Sequence, residues 1–277
     1  MELHGKNPQK IVVAIIPARY SSVRLPGKML REIDGKPLIL HTLERARKTR
    51  TVSRVIVATD DERIFDVVTK AAGEAVMTSP DHGSGSDRIA EVAQNLPEGS
   101  IIVNVQGDEP LISPETIDAA VNALLDDPEA DISTTCEPIN DLWSELLNFN
   151  VVKVVVGESG YALYFSRSPM PFPREASLRH GGPNEAIEAE PELLANFRKH
   201  TGLYVYRREY LLEFTKLPRT RLEKIEMLEQ LRALENGAKI KVIEAVTKSI
   251  GVDTEEDLEL VRQMLEEQGR AALPDLS

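Results

Sequence analysis

Residues 11–28 read IVVAIIPARYSSVRLPGK. Ile11 to Ile16 form an unbroken apolar run, rich in β-branched residues and closed by Pro17. A short run of this kind, without polar alternation, predicts a strand covered on both faces, as in a parallel sheet flanked by helices. The loop after it carries Arg19, Arg24 and Lys28. It has no acidic residue from Pro17 to Leu30, in a chain whose formal net charge is −12. Ser21, Ser22 and Gly27 add hydroxyls and backbone freedom. Ligands of open α/β sheets sit at the carboxyl ends of the strands, so a basic loop at that place predicts a phosphate site. The alternative is a solvated basic turn.

Outward from this stretch, strands and helices alternate. A turn at Ile33–Pro37 is followed by a helix over 38–50. The strand Val52–Ala58 leads to a helix over Glu62–Ala72, capped by Asp60 or Asp61 and ended by Gly73. A short strand at Ala75–Met77, a loop over Thr78–Ser86 and a helix over Asp87–Asn95 come next. The strand Ser100–Val105 and a helix from Pro114 to about Asp126, capped by Ser113, complete the first half. Asp131–Cys136 reads as a strand, and Val151–Val156 with Tyr161–Phe165 as a hairpin. Residues 169–199 read as irregular, with a short acidic helical piece around 186–196. A strand at Thr201–Tyr206, one helix over Arg221–Asn236, a strand at Ile240–Ala245 and a helix opened by a capping box at Thr254 follow. The pattern predicts an α/β fold with a mostly parallel, doubly wound sheet and an appended hairpin and arm. With no repeat and no break in composition, residues 9–270 read as one domain behind a tail at 1–8.

Composition narrows the function. The acidic balance (pI near 5.0) and an aromatic content of 5% exclude nucleic acid as a bulk partner, which wants a basic face or stacking platforms. Cys136, the lone cysteine, excludes an internal disulfide and fits a reducing compartment. No apolar run is long enough to insert into a membrane, and the first residues lack the apolar core of a signal peptide. A cytoplasmic enzyme is expected.

Three loops follow predicted strands and should meet in one crevice: 17–28, Thr59-Asp60-Asp61, and Gln106-Gly107-Asp108-Glu109-Pro110. The first is cationic and the last acidic. A polyphosphate carried with Mg²⁺ wants both, since Mg²⁺ takes one or two carboxylates plus phosphate oxygens. Taken alone, Asp108-Glu109-Pro110 would be a solvated turn; beside the cationic loop it reads as a ligand. Asp60 and Asp61 read as helix caps. Pro26-Gly27-Lys28-Met29 is no Walker A, lacking the earlier glycine and the following Ser or Thr. Gly83–Arg88 (GSGSDR) is no dinucleotide fingerprint, yet it can be a contact loop through Ser86 and Arg88, or else an exposed loop with Arg88 on a helix surface. Phosphoryl chemistry without a P-loop points to nucleotidyl transfer. The five histidines show no metal-ligand spacing, and His200 reads as structural. Glu226, Glu229 and Gln230 read as a solvated helix face.

The ordered segments IIPARYSSVRLPGKML, IDGKPLI, VIVATDD, VNVQGDEPLI, VVKVVV, GYALYFSRSPMP, HTGLYVYRREYL, LEKIEMLEQLRALENG and GVDTEEDLELVR resemble those of the 3-deoxy-manno-octulosonate (KDO) cytidylyltransferases, from Ile11 to about Gln268. The resemblance implies a nucleotide-diphosphosugar-transferase-like fold and a homodimer built through the arm within about 150–206. It implies Mg²⁺-dependent transfer of CMP from CTP to the anomeric hydroxyl of KDO, releasing pyrophosphate, in lipopolysaccharide biosynthesis. By position, Pro17, Ala18, Arg19, Arg24, Lys28, Ser86 and Gln106 would hold the nucleotide. Asp108 and Asp253 would hold the metal and, with Arg19 and Lys28, carry the catalysis. Arg88, Gln106, Arg167, His200, Tyr204, Glu229 and Gln230 would face the sugar acid. Residues 173–198 depart from the family pattern, which keeps 8-amino-KDO or a sialic acid open as acceptors. A non-catalytic nucleotide-binding protein is the alternative from a different class.

Overall fold

A computed structural model describes residues 10–21 and 25–271, with side chains to 267. The tail at 1–8 and the expected nucleotide ligand Arg24 lie outside the described residues. The first elements are β1 (Val12–Ala18), β2 (Glu32–Ile33), β3 (Lys36–Pro37), α1 (Leu38–Arg47), β4 (Arg54–Thr59), α2 (Glu62–Lys70), β5 (Glu74–Met77) and α3 (Gly85–Ala93). Next are β6 (Ile101–Asn104), α4 (Pro114–Leu125), β7 (Ile132–Pro138), β8 (Lys153–Val156), β9 (Ala162–Ser166), α5 (Arg174–His180) and α6 (Pro183–Ala189). The chain closes with β10 (Arg198–Arg207), α7 (Arg208–Phe214), α8 (Arg221–Glu226), α9 (Glu229–Glu235), β11 (Ile240–Glu244) and α10 (Glu255–Ala271). No helix among the described residues is long and apolar enough to cross a membrane.

These elements form two compact units. One takes the chain up to Asp118, Arg207–Thr215 and the chain from Thr247; the other takes Ala119–Tyr206 and Lys216–Val246. In the first unit the strand order is β6-β1-β4-β5, all parallel. β1 is central: Ile15 lies opposite Ile56 on one side and Asn104 on the other. Its residues are buried on both faces, the reason its sequence shows no alternation. Asp61 caps α2 by accepting from the Arg63 N–H at 3.0 Å. The left-handed residue after α2 is Ala72 (φ 55°) rather than Gly73. Gly73 serves close packing instead, because a Cβ there would sit 2.5 Å from Val68. α1 ends at Arg47, short of the expected 50, and the Arg50 and Thr51 N–H groups donate to Asp118.

In the second unit β7 pairs parallel with β11 and antiparallel with β10, while β8 and β9 form the expected antiparallel hairpin. Residues 169–199 are more ordered than their sequence suggests. Pro183 and Pro191 each start a helical turn, α6 and a 3-10 turn over Pro191–Asn196, and Ile139, Leu142, Leu146, Ile187 and Phe197 share one apolar cluster. The helix expected over 221–236 is two helices. Met227 is left-handed (φ 55°) and Leu228 extended between them. A polar anchor accompanies this break: the Glu226 carboxylate accepts from Ser166 Oγ at 2.6 Å and from the Arg167 N–H at 3.0 Å.

Candidate active site

At the carboxyl end of β1 the first unit opens a cleft of 370 Å³ lined by Pro17, Arg19, Ser21, Lys28, Met29, Gly83, Ser84, Gly85 and Gln106. Arg19 Nη2 donates to the His82 carbonyl at 2.6 Å, fixing the guanidinium against the opposite loop. Gly27 sits at φ 67°, where a Cβ would press on the Tyr20 hydroxyl at 3.2 Å and its ring at 3.3 Å, and the Arg63 guanidinium covers that ring. Its left-handed turn starts the 3-10 turn Lys28–Leu30 and swings Lys28 inward.

Lys28 Nζ donates to Asp108 Oδ2 at 2.6 Å and to Asp253 Oδ1 at 3.0 Å. The lysine side chain is 8% exposed, those of Asp108 and Asp253 27% and 43%. Burial by itself would lower the Lys28 pKa, but the two carboxylates outweigh it and hold the ammonium above its ordinary value. Gly107 lets this loop approach, since a Cβ would lie 3.1 Å from the Pro17 carbonyl. The Val252 N–H donates to the Asp108 carbonyl at 2.8 Å. Val252 is fully buried in a cluster with Leu25, Ile33, Leu38, Leu111, Leu258 and Val261. That apolar seat brings Asp253 to Asp108. The Asp257 carboxylate accepts from the N–H groups of Asp253 and Thr254, while Thr254 Oγ1 accepts from the Asp257 N–H, closing the expected capping box.

Ser86 and Arg88 are placed differently from their cleft neighbours. Both are buried. Arg88 Nη2 donates to Asp60 Oδ2 at 2.6 Å and Nη1 to Thr78 Oγ1, so Asp60 is the counter-charge of a buried guanidinium while Asp61 is the cap. Gln106 lines the cleft and donates to Asn104 Oδ1 at 3.3 Å.

The remaining candidates belong to the second unit. His200 Nε2 meets Thr134 Oγ1 at 2.9 Å, with Phe165 edge-on at 5.1 Å and Tyr204 at 5.2 Å. Both rings are half-buried at the surface, yet desolvation among these neighbours takes the His200 pKa down to about 3 and raises that of Tyr204, so His200 is held as a neutral imidazole. Arg167 Nε donates to the Glu226 carbonyl at 2.8 Å and Nη1 to the Phe149 carbonyl at 2.9 Å. Gln230 is buried, and Glu229 lies 3.8 Å from Arg232.

The sequence profile of a family described as cytidylyltransferase matches residues 13–240. The chain belongs to the cytidylyltransferase family. Among proteins it resembles are the 3-deoxy-manno-octulosonate cytidylyltransferases of Trichlorobacter lovleyi (49% identity) and Geobacter sulfurreducens (51%), each alignment covering 92% of this chain and 99% of the relative. A solved structure described as CMP:2-keto-3-deoxy-manno-octonic acid synthetase complexed with CTP superposes with a TM-score of 0.83 at 41% identity, covering 94% of this chain and all of that one. The 4-diphosphocytidyl-2C-methyl-D-erythritol synthase of Anaerococcus prevotii shares the fold at 14% identity (TM-score 0.60; 93% of this chain, 99% of that one).

Three residues of this cytidylyltransferase escape a reading of the sequence by local pattern. Asp60 looks like a cap. Glu226 looks like part of a solvated face but anchors the helix break. Lys153 is fully buried, with Nζ donating to the carbonyls of Asn148 (2.9 Å) and Val151 (2.7 Å). Burial first and the nearby Arg167 charge second bring its pKa down to about 8. A lysine inside the apolar run VVKVVV was the available signal. Cys136 is buried with its thiol pushed up to about 11 by burial, which disfavours the thiolate at neutral pH.

Proposed function

We propose that this cytidylyltransferase transfers CMP from CTP to the anomeric hydroxyl of 3-deoxy-manno-octulosonate, releasing pyrophosphate, as a step of lipopolysaccharide biosynthesis. The observation that carries the reading is the convergence of Asp108 and Asp253 on one cationic point beside the cleft, in a chain that aligns over 92% of its length with proteins named 3-deoxy-manno-octulosonate cytidylyltransferase. Two carboxylates aimed at one point, both partly open to solvent, fit Mg²⁺, which completes its shell with water and phosphate oxygens. Among the described residues no cluster of three or more His, Cys, Asp or Glu is present. Asp108 and Asp253 would hold Mg²⁺, which when bound would supply positive charge for the transferring phosphate and lower the pKa of the attacking hydroxyl.

The chain's own groups position and neutralise. In-line attack at the α-phosphorus builds charge on the equatorial oxygens and on the departing pyrophosphate, and fixed cations stabilise both. Arg19, held by the His82 carbonyl, and Lys28 supply those cations, with Arg24 assigned alongside them by sequence match. Pro17, Ala18 and Gln106 hold the nucleotide, Gln106 through an amide that can read a base edge, and the buried Ser86 is assigned with them by sequence match. Arg88, Arg167, His200, Tyr204, Glu229 and Gln230 are the sugar-side set by sequence match; for Arg88 its burial, and for His200 its contacts with Thr134 and Phe165, support an indirect contribution. A homodimer through the arm is supported by the exposed Leu163, Phe172 and Leu178. A single functional domain over 9–270 in the cytoplasm completes the proposal.

A pyrophosphate-release panel tests it, with CTP, UTP, ATP and GTP set against KDO, 8-amino-KDO and a sialic acid. Release with CTP and KDO above every other pair is expected, because a base read by hydrogen bonds leaves buried groups unpaired when the wrong one binds. Equal turnover with a purine nucleotide, or preference for sialic acid, would contradict it. Tight CTP binding with no release from any acceptor would make the chain a nucleotide-binding protein.

A further inference from the structure

We propose that Lys28 and the divalent cation are alternative occupants of the Asp108–Asp253 pair. In the nucleotide-free chain the Lys28 ammonium closes the pair; the triphosphate draws it away and opens both carboxylates to the metal. The inference rests on the assignment of Asp108 and Asp253 as metal ligands.

Three observations lead to it. The Lys28 ammonium contacts both carboxylates at 2.6 and 3.0 Å, so it sits where the pair converges. A second cation cannot take the same oxygens while the ammonium stays between them. Lys28 also lines the cleft with Arg19 and Ser21, so the side chain borders both the acidic pair and the space assigned to phosphate. Finally, its backbone is pinned by the Gly27 turn, with the Lys28 N–H donating to the Leu25 carbonyl at 3.1 Å and the Arg31 N–H to the Lys28 carbonyl at 3.1 Å. Exchange therefore needs rotation about the flexible lysine stem and no movement of the loop.

The consequence is an order of binding. Metal alone must displace an internal cation that has nowhere better to go, and it binds weakly. A nucleotide offers the ammonium a polyanion, so metal and nucleotide assist one another, by the same factor in both directions. Lys28 is then a switch between two anions as well as a neutraliser of the leaving group.

Mn²⁺ binding followed by electron paramagnetic resonance, with and without a non-hydrolysable CTP analogue, tests this without turnover. Wild type should bind Mn²⁺ weakly alone and much more tightly with the analogue. Lys28→Met removes the internal cation and should tighten nucleotide-free Mn²⁺ binding by about tenfold or more, given what a unit charge a few ångströms away does near a protein surface. The gain on adding the analogue should shrink. Lys28→Gln should follow Lys28→Met, and Lys28→Arg should keep the weak wild-type affinity; these two decide the matter if Lys28→Met does not fold. Unchanged or weaker nucleotide-free binding in Lys28→Met and Lys28→Gln, with Asp108→Asn still abolishing Mn²⁺ binding, would overturn the exchange and leave the metal assignment standing. Mn²⁺ binding unaffected by both Asp108→Asn and Asp253→Asn would overturn the assignment and the exchange with it.

Discussion

Replacing Arg88 by methionine removes a guanidinium that is 0% exposed and leaves Asp60, 17% exposed, without the partner that donates to it at 2.6 Å. Thr78 Oγ1 loses a donor as well. Breaking a buried pair from one side costs about 3–5 kcal/mol, because the remaining charge is desolvated and uncompensated. That is a large part of an ordinary stability of roughly 5–15 kcal/mol, so the variant should fold but melt well below wild type. Asp60→Asn should be similarly damaging, since it strands the buried guanidinium. The double change Arg88→Met/Asp60→Asn should cost little more than either single one, so the coupling should approach the cost of one single change, about 3 kcal/mol or more. Urea titrations followed by far-ultraviolet circular dichroism on the four proteins close the cycle. A loss below about 1 kcal/mol for Arg88→Met, or fully additive losses, would show that Arg88 and Asp60 are not a coupled buried pair. Unchanged stability with collapsed turnover would instead return Arg88 to direct contact with the sugar acid.

His200 predicts an acid-sensitive second unit. Its folded pKa is depressed, so the neutral form is favoured by folding. Its contribution is complete above the ordinary histidine value near 6.5 and is lost as pH falls from there toward about 3. Between pH 7.5 and 5 that single proton removes about 2 kcal/mol, and His200→Gln should flatten this limb of the urea midpoint against pH; parallel curves would contradict it. At Met227 the left-handed backbone should accept glycine with little change in stability, while the β-branched Met227→Val should cost about 1–2 kcal/mol. Equal melting of the two variants would show that the helix break is not held at that residue.

What the sequence revealed follows from where the physics is local. Most of the apolar run Ile11–Ile16 must be covered on both faces, and from Val12 onward it is, as a central strand of the first unit, while Ile11 stays exposed before the strand begins. The Ser113-Pro114 start and the Thr254 capping box were readable because a cap is a contact between near neighbours. The helix break at Met227 was not, because it is accompanied by Glu226 reaching Ser166 and Arg167, some sixty residues upstream. For the same reason Asp60 read as a cap, its partner being Arg88 on another element. The approach of Asp253 to Asp108 depends on the apolar seat of Val252. It was reached through the family resemblance, because nothing in the spacing of the two acids announces it.

Under the proposed assignment, Asp108 and Asp253 act as one unit in CMP transfer. The most direct test is kcat/KM for pyrophosphate release from CTP and KDO by Asp108→Asn, Asp253→Asn and the double variant, at saturating Mg²⁺ and with melting temperatures measured alongside. Each single change should cut the value by roughly 100-fold or more while leaving the protein folded, and the double variant should be little worse than either single one. Multiplying effects, or an Asp253→Asn enzyme with ordinary activity and an ordinary Mg²⁺ response, would contradict the account and leave Asp253 as the residue beside a helix cap.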